Sequence, residues 1–171
     1  ISFVCIFSSL LHEAGHLVPL YFYKCPPKRV LFAPFGIRID REDSTYISYK
    51  KEAVISIGGI VVNTILSLSG LALWLFTKSK TAFLLIWVNI FIALLNSIPV
   101  SVLDLGRFLR YILLVHYDEE KTERITLIVS DLSVILTVAF TVLYTVFLGL
   151  NLSLIAVSLY LLFLNFQERR R

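Results

Sequence analysis

Long runs that carry almost no charge alternate along the chain with short segments where the charges collect. A bilayer-spanning helix takes about 20 mostly apolar residues, and the chain divides naturally on that ruler. Residues 1–23 contain a single carboxylate, Glu13, and residues 53–76 contain no charge before Thr77-Lys78-Ser79-Lys80. Residues 82–103 form a third run, interrupted at Pro99, which continues after Asp104 as a shorter amphipathic piece through residue 115. Residues 125–148 and 150–166 flank Gly149 and predict a helical hairpin. The predicted fold class is an all-α polytopic membrane protein of about five transmembrane helices, in one domain over residues 1–171.

The segment 24–52 has a different period. Val30-Leu31-Phe32-Ala33-Pro34-Phe35-Gly36-Ile37-Arg38-Ile39 is too apolar for a solvated linker, and Thr45-Tyr46-Ile47-Ser48-Tyr49 alternates as a strand does. Arg41-Glu42-Asp43-Ser44 supplies turn-forming residues between them. The pattern predicts a short membrane-associated β-hairpin after the first helix, with strands over 30–39 and 45–49.

Composition narrows the class further. The chain is 57% hydrophobic and only 16% charged, against about 25% charged in ordinary soluble domains. That excludes a disordered chain, which needs the opposite balance. The net charge of +4 invites a nucleic-acid partner, but its distribution argues against one. Fourteen of the sixteen basic residues fall in 24–52, 107–124 and the Arg169-Arg170-Arg171 tail, and only Lys78 and Lys80 fall elsewhere. Five alternating spans put those three segments on one face, so the basic loops and the C-terminus are expected in the cytoplasm. Cys5 and Cys25 lack any metal or redox spacing and receive no role. Without a methionine even at position 1, the chain is expected to be a fragment or processed product whose upstream sequence is missing.

His12-Glu13-Ala14-Gly15-His16 carries the sharpest chemical signal. Positions i and i+4 share a helix face, so both imidazoles reach one Zn²⁺ while Glu13 sits beside them as general base. Ionisable groups inside an apolar span are costly and mark function by default. A catalytic zinc takes three protein ligands and keeps a fourth position for water. Outside the charged loops and tail only two other acids occur within apolar stretches, Asp104 and Asp131. Asp104 follows Pro99, where the backbone is expected to unwind as a metal site requires. Asp131 reads as an interfacial or helix-packing residue and His116, among charged neighbours, as solvated.

These residues resemble the site-2 protease family of intramembrane zinc metalloproteases. His12 to His16 match its first motif, and Asn96, Pro99 and Asp104 match its Asn-x-x-Pro-x-x-x-x-Asp-Gly segment. Gly59 and Asn63 match a third stretch, Gly-Pro-x-x-Asn, with Ile60 in place of proline; Leu105 replaces the glycine after the aspartate. Within the family the chain most resembles the stage IV sporulation protein FB group. Lys28 to Gly36 and Lys51 to Gly59 look like that group's linker into its next helix. Set against that group, the chain is expected to lack an upstream transmembrane helix and a regulatory cystathionine-β-synthase domain after Arg171.

The resemblance implies a zinc metalloendopeptidase that cleaves a membrane-tethered protein, with a sigma-factor precursor as the substrate and membrane proteins as regulators. Zn²⁺ is expected on His12, His16 and Asp104, with Glu13 as general base. Asn63 and Asn96 are expected to bind the substrate backbone or oxyanion, with interhelical hydrogen bonding as their alternative role. The alternative function is a non-catalytic polytopic membrane protein, a degenerate protease or transporter that binds clients.

Overall fold

The computed structural model describes residues 2–25, 29–33, 36–40 and 47–170. Its elements in chain order are α1 (Ser2–Phe22), β1 (Arg29–Ala33), β2 (Gly36–Asp40), α2 (Tyr49–Ser56), α3 (Gly58–Thr77), α4 (Lys80–Asn96), α5 (Asp104–His116), α6 (Glu119–Leu148) and α7 (Leu152–Glu168). They form two compact units, Ile1–Ser97 and Ile98–Arg171.

In the first unit α1, α3 and α4 pack against one another. Glycine makes the α1–α3 contact possible. A Cβ on Gly15 would stand 2.6 Å from the Gly58 carbonyl oxygen, and one on Gly58 would run into the Gly15 carbonyl. Only backbones without side chains approach that closely, the small-residue mode of helix association in membranes. The helices α2 and α3 are separate because the backbone departs from helical geometry at Ile57, with φ −90° and ψ −2°. The carbonyls of the last turn of α2 therefore lack their usual partners four residues on. At the other end, Lys78 turns left-handed (φ 50°) and its N–H reaches the Trp74 carbonyl. Ser79 then caps α4 by accepting from the Thr81 N–H, which folds α3 and α4 into a helical hairpin. Leu20, Ile47 and Ile55 make a small apolar core, flanked by Leu17 and Tyr23.

The second unit packs α6 against α7 and α5 against α6 around Val100, Leu103, Val134, Leu161 and Leu164. Asp118 caps α6 through the Lys121 N–H, and Asn151 caps α7 through the N–H groups of Ser153 and Leu154. A buried polar seam joins the last two helices. Ser130 Oγ donates to Asn165 Oδ1 at 2.7 Å, Asn165 Nδ2 donates to Asp131 Oδ1 at 2.8 Å, and Arg169 forms an ion pair with Asp131. Asp131 is thus a helix-packing residue.

Burial is inverted relative to a protein in water. Ser8, Asn63, Asn89 and Ser130 are fully buried, while Phe22, Phe76 and Phe147 are more than three-quarters exposed. Apolar side chains facing outward along whole helices and polar ones facing inward identify lipid as the solvent.

The structure corrects the expected fold class in two respects. Among the described residues three helical segments are long and apolar enough to cross a membrane, Phe3–Phe22, Tyr49–Thr77 and Glu119–Leu148, where five spans were expected. The helices α4 and α7 are apolar but have 17 residues each, about 26 Å at 1.5 Å per residue, short of a hydrocarbon core of about 30 Å. Helix α4 stops at Asn96 because Pro99 cannot continue it, and α7 starts late because Asn151 caps it. The hairpin expected to pair 30–39 with 45–49 is replaced by another arrangement. The two strands pair antiparallel in the register Arg29↔Asp40 to Ala33↔Gly36, so the stretch expected as one strand supplies both. Ile47 and Ser48 lie in no strand, and Tyr49 opens α2. Residues 41–46, which include the expected turn, lie outside the described residues.

The glycine contact leads to a test by substitution. Alanine gains about 1 kcal/mol over glycine within a helix, while overpacking a tight contact costs about 1–3 kcal/mol. At Gly70 an added Cβ meets nothing closer than 3.2 Å, so Gly70→Ala is expected to change stability by less than about 1 kcal/mol. Gly58→Ala, against backbone, is expected to lower the thermal midpoint in detergent clearly below that of the parent. Equal midpoints for the two variants would contradict the close helix approach.

Candidate metal centre

The helical period of α1 brings His12 and His16 to one face, and both are buried, at 5% and 8% exposure. Their rings meet edge to face with centroids 5.2 Å apart. Each ring is held through Nδ1. His12 Nδ1 lies 2.5 Å from Asn63 Oδ1 on α3, and His16 Nδ1 lies 2.8 Å from the Ile55 carbonyl oxygen on α2. The break at Ile57 accounts for the second partner, since a carbonyl in the last turn of a helix has acceptor capacity to offer. A carbonyl only accepts, so His16 Nδ1 carries the proton and the Nε2 lone pair is the one presented to a metal. This is the outer-shell arrangement that fixes metal-binding imidazoles.

Gly59 sets the position of the His12 ring. A Cβ there would stand 2.5 Å from His12 Cε1 and 2.7 Å from both ring nitrogens, so the imidazole lies against the bare backbone of α3. Glu13, one residue after His12 on α1, is partly buried.

Asp104 opens α5 and is 5% exposed. The chain before it turns tightly, with Val100 N–H donating to the Ile98 carbonyl and Leu103 N–H to the Val100 carbonyl, each at 2.8 Å. Gly106 allows this turn to fold onto α5, because any side chain there would collide with the Val100 carbonyl. The glycine that the motif places directly after the aspartate is thus found one residue later. The Ser101 N–H reaches Ser130 Oγ at 3.4 Å, which ties the turn to the polar seam of α6 and α7.

The first unit thus offers two buried imidazoles, His12 and His16, and the second a buried carboxylate, Asp104. Two imidazoles and a carboxylate form an N₂O set of the type that binds catalytic zinc and leaves a coordination position open. Asn63 is fully buried and its amide is engaged at both ends, Oδ1 with His12 and Nδ2 with Asn89 Oδ1 at 2.6 Å. Asn96, partly buried, donates to the Ile92 carbonyl one turn back. His116 ends α5. Sequence reasoning missed Ile55, Asn89 and Ser8. A lone polar residue in an apolar helix was the available signal for the last two, with no spacing rule to join them.

These contacts make Gly59→Ala a test of the histidine geometry. Displacing the His12 ring is expected to weaken zinc binding about tenfold or more, measured by competition with a chromophoric chelator in detergent. Asp131→Asn, within the packing seam, is expected to leave affinity unchanged. Parental affinity in Gly59→Ala would contradict the placement of His12.

No protein-family model and no curated protein matches the chain. Among solved structures, it is similar to the site-2 protease from Methanocaldococcus jannaschii, with a TM-score of 0.71 and 26% sequence identity over 97% of this chain and 76% of that one. The likeness extends over nearly the whole chain and is to a membrane protease.

Proposed function

We propose that the protein is an intramembrane zinc metalloendopeptidase of the site-2 protease family, closest to the stage IV sporulation protein FB group. The observation that carries this reading is the pair of buried histidines of a His-Glu-x-x-His helix, both turned by their Nδ1 contacts. Similarity to a site-2 protease along 97% of the chain supports it.

In this reading His12, His16 and Asp104 hold the metal. Zinc in such a set acts as a Lewis acid and makes water nucleophilic near neutral pH. Glu13 takes the proton of the attacking water and passes it to the departing amide nitrogen. Water adds across the peptide bond, giving a carboxylic acid and an amine. Asn96, at the C-terminal end of α4, is the amide assigned to the substrate, while Asn63 acts on His12. The substrate is a membrane-tethered protein, with a sigma-factor precursor the first to try, and membrane proteins regulate the cut.

The test is chelator-sensitive cleavage of a tethered reporter by the protein in lipid vesicles. Glu13→Gln is expected to retain stoichiometric zinc and to lose about 10²–10⁴-fold in cleavage rate. Asp104→Asn is expected to lower both zinc occupancy and rate. Parental rates in Glu13→Gln would sink the mechanism, and absence of stoichiometric zinc from the parent would favour a non-catalytic client-binding protein.

A further inference from the structure

Asn89 is fully buried at the meeting of three helices. Its Nδ2 donates to the Leu85 carbonyl oxygen at 2.8 Å and to Ser8 Oγ at 3.0 Å, and its Oδ1 accepts from Asn63 Nδ2 at 2.6 Å. The Asn63 Oδ1 then faces His12 Nδ1. The chain His12, Asn63, Asn89, Ser8 leaves α1, crosses α3 and α4, and returns to α1 one helical turn away.

The polarity of this chain is fixed at one end. A backbone carbonyl can only accept, so the Asn89 amide has to aim its nitrogen at Leu85 and its oxygen at Asn63. Facing that oxygen, Asn63 has to present its nitrogen, which leaves its own oxygen for His12. An oxygen acceptor obliges His12 Nδ1 to carry the proton. The order follows from donor and acceptor chemistry alone, because swapping O and N in either amide would set two acceptors or two donors face to face. Ser8 supplies no such direction, since a hydroxyl both donates and accepts.

We propose that Asn89 is a positioning residue that sets the tautomer of His12 through Asn63, with the Leu85 carbonyl as the fixed reference. Resting on the zinc reading above, the consequence is that His12 offers its Nε2 lone pair to the metal before any metal arrives. His16 obtains the same tautomer directly from the Ile55 carbonyl. At His12 the oxygen facing Nδ1 belongs to a side-chain amide, Asn63, which Asn89 holds in turn.

The experiment reads the tautomer itself. In the metal-free full chain, labelled with ¹⁵N-histidine in detergent micelles, His12 Nδ1 is expected to be protonated in the parent and in Ser8→Ala. In Asn89→Leu the Asn63 amide is free to turn over, and the proton is expected to redistribute toward Nε2. Adding Asn63→Asp to that background is expected to restore the Nδ1 proton, because a carboxylate has no donor end to turn. Zinc affinity should follow the same order, weakened about 10–100-fold in Asn89→Leu and largely recovered in the double variant. An unprotonated Nδ1 in the parent overturns the proposal, and that measurement stands even if Asn89→Leu does not fold. An unchanged tautomer in Asn89→Leu, or equal losses in Ser8→Ala and Asn89→Leu without rescue, also overturns it and leaves Asn89 a packing residue. A parent that shows the Nδ1 proton but binds no zinc would overturn the metalloprotease reading and leave the relay intact.

Discussion

The histidine half of the centre depends on the backbones of α1 and α3 touching at Gly15 and Gly58. That approach lets Gly59 carry the His12 ring and puts Asn63, one turn further along α3, at hydrogen-bond distance from it. A methyl group at Gly58 pushes the helices apart, and both relationships fail together. Two glycines therefore decide whether the His12 imidazole keeps its place and its partner.

Partners matter more here than in water. A buried polar group left unsatisfied costs about 1–3 kcal/mol, and lipid offers no replacement. The first unit meets this demand with a connected set running from His12 through Asn63 and Asn89 to Ser8. The second unit meets it with the seam of Ser130, Asn165, Asp131 and Arg169. The two sets differ in chemistry. The first ends on a fixed backbone acceptor and so carries orientation, while the second ends on an ion pair and holds helices together. Two carboxylates in apolar surroundings differ as well: Asp104 opens α5 after a tight turn, and Asp131 belongs to the packing seam.

Much of the centre was legible in the sequence because its residues obey local rules. His12 and His16 are placed by the helical period, and Asp104 by a charge in an apolar run just after a helix-breaking proline. Asn63 was visible as a polar residue in an apolar helix, but its partner was not. No spacing joins residues 8, 63 and 89, which meet only because three helices pack. The span count erred because counting apolar residues does not register where a helix stops ahead of a proline, as α4 does before Pro99, or starts at a cap, as α7 does at Asn151. The break at Ile57, inside a run read as one apolar segment, was equally silent, yet it exposes the carbonyl that orients His16. The strand register was not legible because Arg41-Glu42-Asp43-Ser44 carries as strong a turn signal as the residues before Gly36.

The central claim is a zinc ion on two imidazoles and a carboxylate. X-ray absorption at the zinc edge of the purified full chain tests it most directly. The account predicts one zinc per chain with two nitrogen ligands at about 2.0–2.1 Å, the remaining ligands oxygen and no sulfur. A chain that holds no zinc, or a sulfur shell at about 2.3 Å drawing on Cys5 or Cys25, would contradict it.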